Sequence, residues 1–188
     1  MVTSKFLRYN KYILKIADRR RDMKKLIFIH GPNGVGKSTL CKILNSKIQN
    51  SAWLESEWCR MTNPFVFNDE IIKMIEKNIS FMLRSYLDCS TLEYIIFNYG
   101  FHGPRKQIFD NILKNLSDID YQLIPITVSC SYEENRFRML KDGRNEERIS
   151  RALAVRRIYD SLDNPSIDTT HMSVEETVYG VLEILKRY

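Results

Sequence analysis

No run of 18 apolar residues occurs in this sequence, and its N-terminus has no compact apolar stretch followed by a small-residue cleavage site. These absences argue against a membrane-spanning helix and a secretory signal peptide, so we expect a cytoplasmic protein with no membrane partner. The four cysteines are far apart and form no C-x-x-C pair; they are Cys41, Cys59, Cys89 and Cys130. Their spacing gives little support for a metal site or a disulfide framework, and we expect reduced, mostly buried thiols.

Low-complexity runs and internal repeats are also absent, which argues against a disordered or repetitive architecture. Apolar residues make up 44% of the 188 residues and charged residues 28%, which are values typical of globular proteins. A chain of this length has room for one core, so the sequence predicts a single domain. Its composition is compatible with a monomer or a homodimer.

Positive charge is concentrated near the N-terminus. Between Lys5 and Lys25 there are nine basic residues and two acidic ones, in a chain of net charge +6. We interpret residues 1–22 as a basic N-terminal extension and residues 23–188 as the folded domain, with Met23 as an alternative start of the native chain. A solvated helix is the favoured explanation of the basic segment, and nucleic-acid binding is the alternative.

Short apolar runs alternate with amphipathic segments after residue 23. The predicted strands are 26–30, 52–54, 94–97, 123–128 and 167–169. The predicted helices are 37–48, 68–88, 104–116, 132–141, 149–162 and a last helix that opens with a capping box at Ser173 and Glu176. Pro125 suggests an irregular or late start of the fourth strand. The alternation predicts an α/β fold, in which helices cover both faces of a parallel sheet.

The stretch GPNGVGKS lies between the first predicted strand and the first predicted helix. It matches the pattern G-x-x-x-x-G-K-[ST], whose backbone N–H groups surround a phosphate at a helix N-terminus. Lys37 is predicted to reach the β- and γ-phosphates of ATP, and the Ser38 hydroxyl is predicted to bind Mg²⁺. The residues expected to contact ATP in this loop are Gly31, Asn33, Gly34, Val35, Gly36, Lys37, Ser38 and Thr39.

Two carboxylates follow the second predicted strand, in Glu55-Ser56-Glu57. On an extended segment, a spacing of two residues places both side chains on the same side. One carboxylate could then orient a Mg²⁺-bound water while the other takes the proton of an acceptor hydroxyl. Two solvated surface acids are the alternative interpretation.

Seven arginines lie within 22 residues of the second half, around the pair Asp142-Gly143. They are Arg136, Arg138, Arg144, Arg148, Arg151, Arg156 and Arg157. The segment at about 142–150 is therefore predicted to be a lid that closes over ATP, excludes water and stabilises the transferred phosphoryl group. The alternative is a helix pair with surface ion pairs, such as Glu147 with Arg151.

These motifs, together with the stretch IDTT before the last helix, resemble the small P-loop kinases. This superfamily includes the nucleoside monophosphate kinases, shikimate kinase, gluconate kinase and chloramphenicol phosphotransferase, and the resemblance covers residues 24–187. It implies a three-layer P-loop NTPase fold with a five-stranded parallel sheet of order 2-3-1-4-5 and a lid. It also implies the following roles: Glu57 as the acceptor-side base, Glu55 as a ligand of Mg²⁺ through water, Arg138 as a platform under adenine, and Arg144 and Arg148 as lid donors.

Three positions depart from the pattern of that superfamily. The acceptor-side residue is commonly Asp, whereas Glu55 and Glu57 are one methylene longer. The third predicted strand ends in Asn98, so the usual Walker B carboxylate is missing, which argues against a motor-type ATPase. Arg105 follows a stretch that faintly resembles the Gly-Phe-Pro-Arg run of nucleotide kinases, with two residues inserted, and is a candidate contact of the acceptor.

The sequence therefore favours an ATP- and Mg²⁺-dependent kinase that phosphorylates a hydroxyl or phosphate of a metabolite, nucleotide or antibiotic. A nucleic-acid end kinase and a nucleotide-binding regulator or ATPase without an acceptor are the alternatives. Apolar and aromatic side chains between the acidic pair and the long helix favour an acceptor with a planar or apolar face. The alternative is that these side chains cover the core. These residues are Trp58, Met61, Pro64, Phe65 and Phe67.

Overall fold

The computed structural model describes residues 23–100 and 102–188. The predicted basic extension, residues 1–22, lies outside the described residues. The elements, in chain order, are β1 (Lys24–His30), α1 (Lys37–Lys47), β2 (Ser51–Glu55), a 3₁₀ helix (Ser56–Arg60), α2 (Asp69–Asp88), β3 (Tyr94–Asn98), α3 (Arg105–Asn115), β4 (Tyr121–Ser129), α4 (Tyr132–Lys141), α5 (Glu146–Ala154), α6 (Arg157–Asp160), β5 (Ser166–Asp168) and α7 (Val174–Leu185). None of the helices in these two ranges has the length and apolar character needed to cross a membrane.

The five strands form one parallel sheet of order β2-β3-β1-β4-β5. The α/β fold and the predicted strand order are thereby confirmed. β1 is the central strand, and its register places Ile29 beside Asn98 of β3 and Ile126 of β4. Because the strands are parallel and in register, β1, β2 and β3 end at the same edge of the sheet.

Alternate residues of each strand pack into two separate cores. Ile27 and Ile29 face a cluster that contains α1 and α7, whereas Leu26 and Phe28 face a cluster that contains α2 and α3. Both faces of β1 are therefore covered, which explains why its apolar run is continuous rather than alternating. This arrangement gives the three layers expected from the sequence.

The fourth strand begins at Tyr121 and contains Pro125 in its interior, so the expected late start is wrong. The backbone N–H of Thr127 donates to the carbonyl of Pro165, on the side of β5. Since backbone N–H groups alternate in direction along a strand, the nitrogen of Pro125 points to the same side. β5 begins only at Ser166, so Pro125 lies where β4 needs no N–H donor on that side.

The predicted helix 149–162 is also wrong as a single element. α5 begins earlier, at Glu146, because Asn145 caps it by accepting a hydrogen bond from the N–H of Arg148 at 2.9 Å. The helix ends at Ala154, and Arg156 turns inward to donate to the carbonyl of Cys130 at 2.6 Å. The predicted lid thus consists of a short turn and the first part of α5.

Gly31 is the position at which the first turn is most constrained. Its φ is +145°, and a Cβ atom there would lie 2.0 Å from the carbonyl oxygen of Val128. We predict that Gly31→Ala lowers the free energy of unfolding by about 2–5 kcal/mol, because backbone strain and overlap with β4 add. Gly143→Ala is the matched control, since its φ of +73° carries strain but a Cβ there has open space. Urea denaturation measures both, and equal losses in the two variants would contradict the prediction.

Candidate functional site

A cleft of about 1010 Å³ lies where β1, β2 and β3 end. Ligands of open α/β sheets bind at this edge of the sheet. The cleft brings together most of the residues predicted from the sequence: Asn33, Gly34, Val35, Gly36, Lys37, Ser38, Thr39, Glu55, Glu57, Arg138, Arg144 and Arg148. Gly31 is buried at the base of the loop and does not line the cleft.

The loop between β1 and α1 presents an uncapped helix N-terminus to the cleft. Gly36 precedes the helix with a φ of 97°, and no side chain caps the first turn. That turn also contains no acidic residue, so the positive end of the helix dipole is not compensated locally. Free N–H groups and an uncompensated dipole favour binding of an anion at this point.

Helix α4 holds the loop from its outer side. Asn135 donates to the carbonyl of Asn33 at 2.9 Å, and Arg138 donates to the carbonyl of Val35 at 3.1 Å. The helix approaches so closely that a Cβ on Gly34 would lie 2.4 Å from Cγ of Met139. Loop carbonyls are thus bound by α4, which fixes the loop backbone.

Arg138 also donates to the carbonyl oxygen of Thr169 at 2.8 Å and to its hydroxyl at 2.9 Å. Its Nε pairs with Glu134 at 2.7 Å. The guanidinium therefore connects the loop 31–38, called the phosphate loop below, to the segment between β5 and α7, at the border of the cleft. A role as a platform under adenine stays a prediction for this position.

The Lys37 ammonium group donates to the carbonyls of Gly31 at 2.9 Å and Pro32 at 2.7 Å. Burial lowers the pKa of Lys37 to about 8, and the nearby carboxylate of Glu55 opposes this shift. Arg144 adds a further lowering of this pKa through its positive charge. The lysine is thus held at the loop, close to both Glu55 and Arg144.

The two carboxylates after β2 lie in different environments. Glu55 is 7% exposed and accepts a hydrogen bond from Nδ2 of Asn98 at 2.6 Å. The chain then turns into the 3₁₀ helix, where Glu57 is exposed and pairs with Arg60 at 2.6 Å. The expectation of an extended segment is therefore wrong, although both residues line the cleft.

The segment that contains Arg144 and Arg148 contributes to the cleft and also forms a surface ion pair, and its closure as a lid stays a prediction. Both arginines line the cleft. On the exposed side of α5, Glu147 and Arg151 form the expected ion pair at 3.6 Å. Different faces of one short helix thus serve the cleft and the solvent.

A second group of cations lines the cleft near the start of α3. Burial lowers the pKa of Arg105, and the neighbouring positive charge of Arg60 lowers it further. The Arg105 guanidinium forms no hydrogen bond or ion pair with any of the described residues. Sequence reasoning singled out Arg105 and missed Arg60, whose position one helical turn after Glu57 was the available signal.

The aromatic residues after the acidic pair are exposed and do not cover the core. Trp58 contacts Trp53 with ring centroids 4.9 Å apart and is half exposed, and Met61 is 81% exposed. Phe67 lines the cleft. The ring centroids of Phe65 and Phe67 are 6.3 Å apart. Phe65 and Phe67 therefore form an exposed aromatic rim beside the cleft, whereas Trp58 does not line the cleft.

The residues near Lys37 suit a magnesium ion. Within residues 23–100 and 102–188 there is no cluster of three or more His, Cys, Asp or Glu side chains that could enclose a metal. Mg²⁺ in phosphate-transfer sites needs no such cluster, since one or two protein oxygens, phosphates and water complete its shell. Ser38 and Glu55 supply hard oxygen donors of this kind, and Oε1 of Glu55 has no hydrogen-bond partner among the described residues.

Comparison with known proteins gives one family match and many structural matches. A protein-family model described as an AAA domain matches residues 27–159. A curated cytidylate kinase from Buchnera aphidicola subsp. Baizongia pistaciae (strain Bp) is 28% identical over 109 residues, with 54% of this chain and 46% of that protein covered. The match thus spans about half the length of that relative.

Among solved structures, the APS kinase of Mycobacterium tuberculosis in complex with AMPPNP and APS has a TM-score of 0.62 at 15% identity, covering 87% of this chain and 98% of that chain. The shikimate kinase of Acinetobacter baumannii in complex with shikimate has a TM-score of 0.60 at 16% identity, covering 90% and 97%. At this level of identity the likeness shows the fold, which is that of small P-loop kinases.

Burial lowers the pKa of Lys37 to about 8, and we expect the charge of this lysine to govern the affinity for ATP. The protonated amine binds phosphate, so the lysine is cationic below this pKa and loses its charge in the free protein as the pH rises above it. We predict that the affinity for Mg²⁺·ATP falls by up to about tenfold per pH unit above about pH 8. Calorimetric titration between about pH 7 and about pH 9.5 measures this fall.

Lys37→Arg is the control for this prediction. Its guanidinium stays protonated over the whole range, so the variant should bind ATP with an affinity that changes little with pH. A fall of the same size in Lys37→Arg would contradict the assignment to Lys37.

Proposed function

This chain belongs to the AAA domain family and to the superfamily of small P-loop kinases, and we propose that it transfers the γ-phosphoryl group of ATP, with Mg²⁺, to a small molecule that carries an anionic group. One observation carries the proposal. A single cleft is lined both by the loop 31–38 and by Arg105, whose guanidinium has no hydrogen bond or ion pair with the described residues. The cleft thus offers separate places for the phosphates of ATP and for an anionic acceptor.

On the ATP side, the loop 31–38 would bind the triphosphate through backbone N–H groups, with Lys37 at the β- and γ-phosphates. Mg²⁺, held by the Ser38 hydroxyl and through water by Glu55, would neutralise charge on these phosphates. Arg144 and Arg148 line the same cleft and would stabilise the charge that spreads over the phosphoryl group in transfer.

In the proposed step, an acceptor oxygen attacks the γ-phosphorus while the bond from that phosphorus to the β,γ-bridging oxygen breaks. ADP leaves with the bonding electron pair, and a hydroxyl acceptor loses its proton to Glu57. In the ion pair between Glu57 and Arg60 the carboxylate is 67% exposed, so water screens the pair on the side of Glu57 and can replace the guanidinium there. Arg60 could then turn to the anionic group of the acceptor as Glu57 becomes available to the hydroxyl.

The anionic acceptor is inferred from Arg105 and Arg60. A partly buried guanidinium beside a second one is unfavourable unless anions balance both charges. Glu57 pairs with Arg60 and only partly opposes the lowering of the pKa of Arg105, which leaves room for a further anion. Guanidinium groups bind carboxylates and phosphates through paired hydrogen bonds, and both arginines line the cleft. The exposed aromatic rim adds a surface for a planar part of the same molecule.

The alternatives made from the sequence gain no comparable support. A nucleic-acid end kinase depends on the basic segment 1–22, which lies outside the described residues. A nucleotide-binding regulator without an acceptor leaves Arg105 without a role.

A phosphoryl-transfer assay with γ-labelled ATP tests the proposal. The acceptor panel comprises nucleoside monophosphates, sugar acids, neutral nucleosides and neutral sugars, and we expect transfer to anionic members. Arg105→Gln should raise the acceptor KM by about 10–100-fold and leave ATP affinity unchanged, since a hydrogen bond to a charged group contributes about 1.5–3 kcal/mol.

Lys37→Ala is the negative control, because it should abolish transfer to every acceptor. Equal use of neutral and anionic acceptors by the wild type would contradict the anionic acceptor. ATP binding without transfer to any member of the panel would favour the regulator.

A second prediction concerns Glu57. With a hydroxyl acceptor, Glu57→Gln should lower kcat by about 10²–10⁴-fold and change ATP affinity little, because a general base acts in the transition state. Steady-state kinetics and nucleotide titration measure the two quantities. Glu133→Gln is the matched control, since Glu133 is exposed on α4 and does not line the cleft. An unchanged kcat would remove Glu57 from the role of base.

A further inference from the structure

The geometry points to Asn98 and Trp53 as positioning residues that orient Glu55 toward the magnesium ion. This inference rests on the proposed function, in which Glu55 holds a Mg²⁺-bound water. It also gives a role to the position at which the sequence departs from the Walker B pattern.

The three residues meet because of strand pairing. The register of β2 and β3 places Glu55 directly beside Asn98. Trp53 precedes Glu55 by two residues on β2, so its side chain lies on the same face of the sheet. That face packs against α1, whose N-terminus contains Lys37 and Ser38.

A directional chain of hydrogen bonds joins the three side chains. The indole Nε1 of Trp53 donates to Oδ1 of Asn98 at 2.7 Å, and Nδ2 of Asn98 donates to Oε2 of Glu55 at 2.6 Å. An indole N–H can only donate, so it fixes which end of the Asn98 amide faces it. The amide NH₂ must therefore face Glu55, and Trp53 determines this orientation although it does not contact the carboxylate.

These hydrogen bonds leave one carboxylate oxygen of Glu55 available for the Mg²⁺-bound water. Oε2 of Glu55 is bound by Asn98, whereas Oε1 has no hydrogen-bond partner among the described residues. Glu55 and Asn98 are 7% and 2% exposed, so their mutual orientation is set by packing as well as by the hydrogen bond. Fixed partners of this kind orient metal-binding carboxylates in many proteins.

An aspartate at position 98 would not serve the same purpose. Two ionised carboxylates at hydrogen-bond distance repel each other and neither can donate, and a shared proton would remove the negative charge that binds the metal. In this chain the acidic residue stands at the end of β2, and the residue at the end of β3 is its hydrogen-bond donor. The amide on β3 is thus chemically matched to the acid on β2.

Binding of a fluorescent ATP analogue to the full chain, with and without Mg²⁺, tests the inference. In the wild type Mg²⁺ should tighten nucleotide binding. Asn98→Leu should reduce that gain and raise the Mg²⁺ concentration for half-saturation by about 10–100-fold, the usual effect of removing such a partner. Trp53→Phe should produce a smaller change in the same direction, while metal-free affinity stays within about twofold in both variants.

Trp58→Phe is the matched control, because Trp58 is the neighbouring indole and its N–H has no hydrogen bond with the described residues. It should leave the Mg²⁺ dependence unchanged. In a Glu55→Gln background, Trp53→Phe should have no further effect, since the carboxylate that it positions is gone.

The outcomes separate the inference from the proposed function. A wild type whose nucleotide affinity does not respond to Mg²⁺ would overturn the proposed function. If Mg²⁺ tightens nucleotide binding equally in the wild type, Trp53→Phe and Asn98→Leu, the positioning role would be overturned. Equal losses with and without Mg²⁺, or an effect of Trp58→Phe as large as that of Trp53→Phe, would also overturn it. If Asn98→Leu does not fold, the comparison of Trp53→Phe with Trp58→Phe decides.

Discussion

The in-register ending of β1, β2 and β3 is the constraint on which the site depends. Ile29 on β1 pairs with Asn98 on β3, and Asn98 pairs with Glu55 on β2. These pairings place the phosphate loop, the buried carboxylate and its amide donor at one edge of the sheet. A shift of β2 by one residue would turn Glu55 to the opposite face, away from α1 and Lys37, because side chains alternate along a strand.

Positive charge dominates the cleft. Lys37 and Arg144 lie near each other in the cleft, and so do Arg60 and Arg105, whereas the acidic residues that line it are Glu55, Glu57 and Asp142. In the protein alone, the burial of Lys37 and Arg105 lowers the pKa of both groups. Two anionic ligands would relieve this cost at both groups, which supports the proposed transfer of a phosphoryl group from ATP to an anionic acceptor.

Patterns local in the sequence predicted the fold and the ATP side of the site. The glycines and the lysine of the loop 31–38 have a fixed spacing, and the alternation of strands and helices predicted a parallel sheet. Errors arose where distant residues decide the local structure. The helix predicted over 149–162 breaks because Arg156 bonds to the backbone of Cys130, a partner 26 residues away. Pro125 is tolerated inside β4 because β5 starts too late to require its N–H.

The same distinction explains the acceptor side and the position of Asn98. For Arg60 the sequence offered only its spacing from Glu57, because its proximity to Arg105, which lies 45 positions later, depends on the fold. Asn98 was recognised as a missing carboxylate, but its hydrogen bonds run to two residues on another strand. A motif comparison tests each position by itself, whereas here the acidic and amide groups have to be considered as a pair across β2 and β3. The absence of an acid on β3 is therefore no evidence against metal-assisted transfer, because the neighbouring strand supplies a carboxylate at the same edge of the sheet.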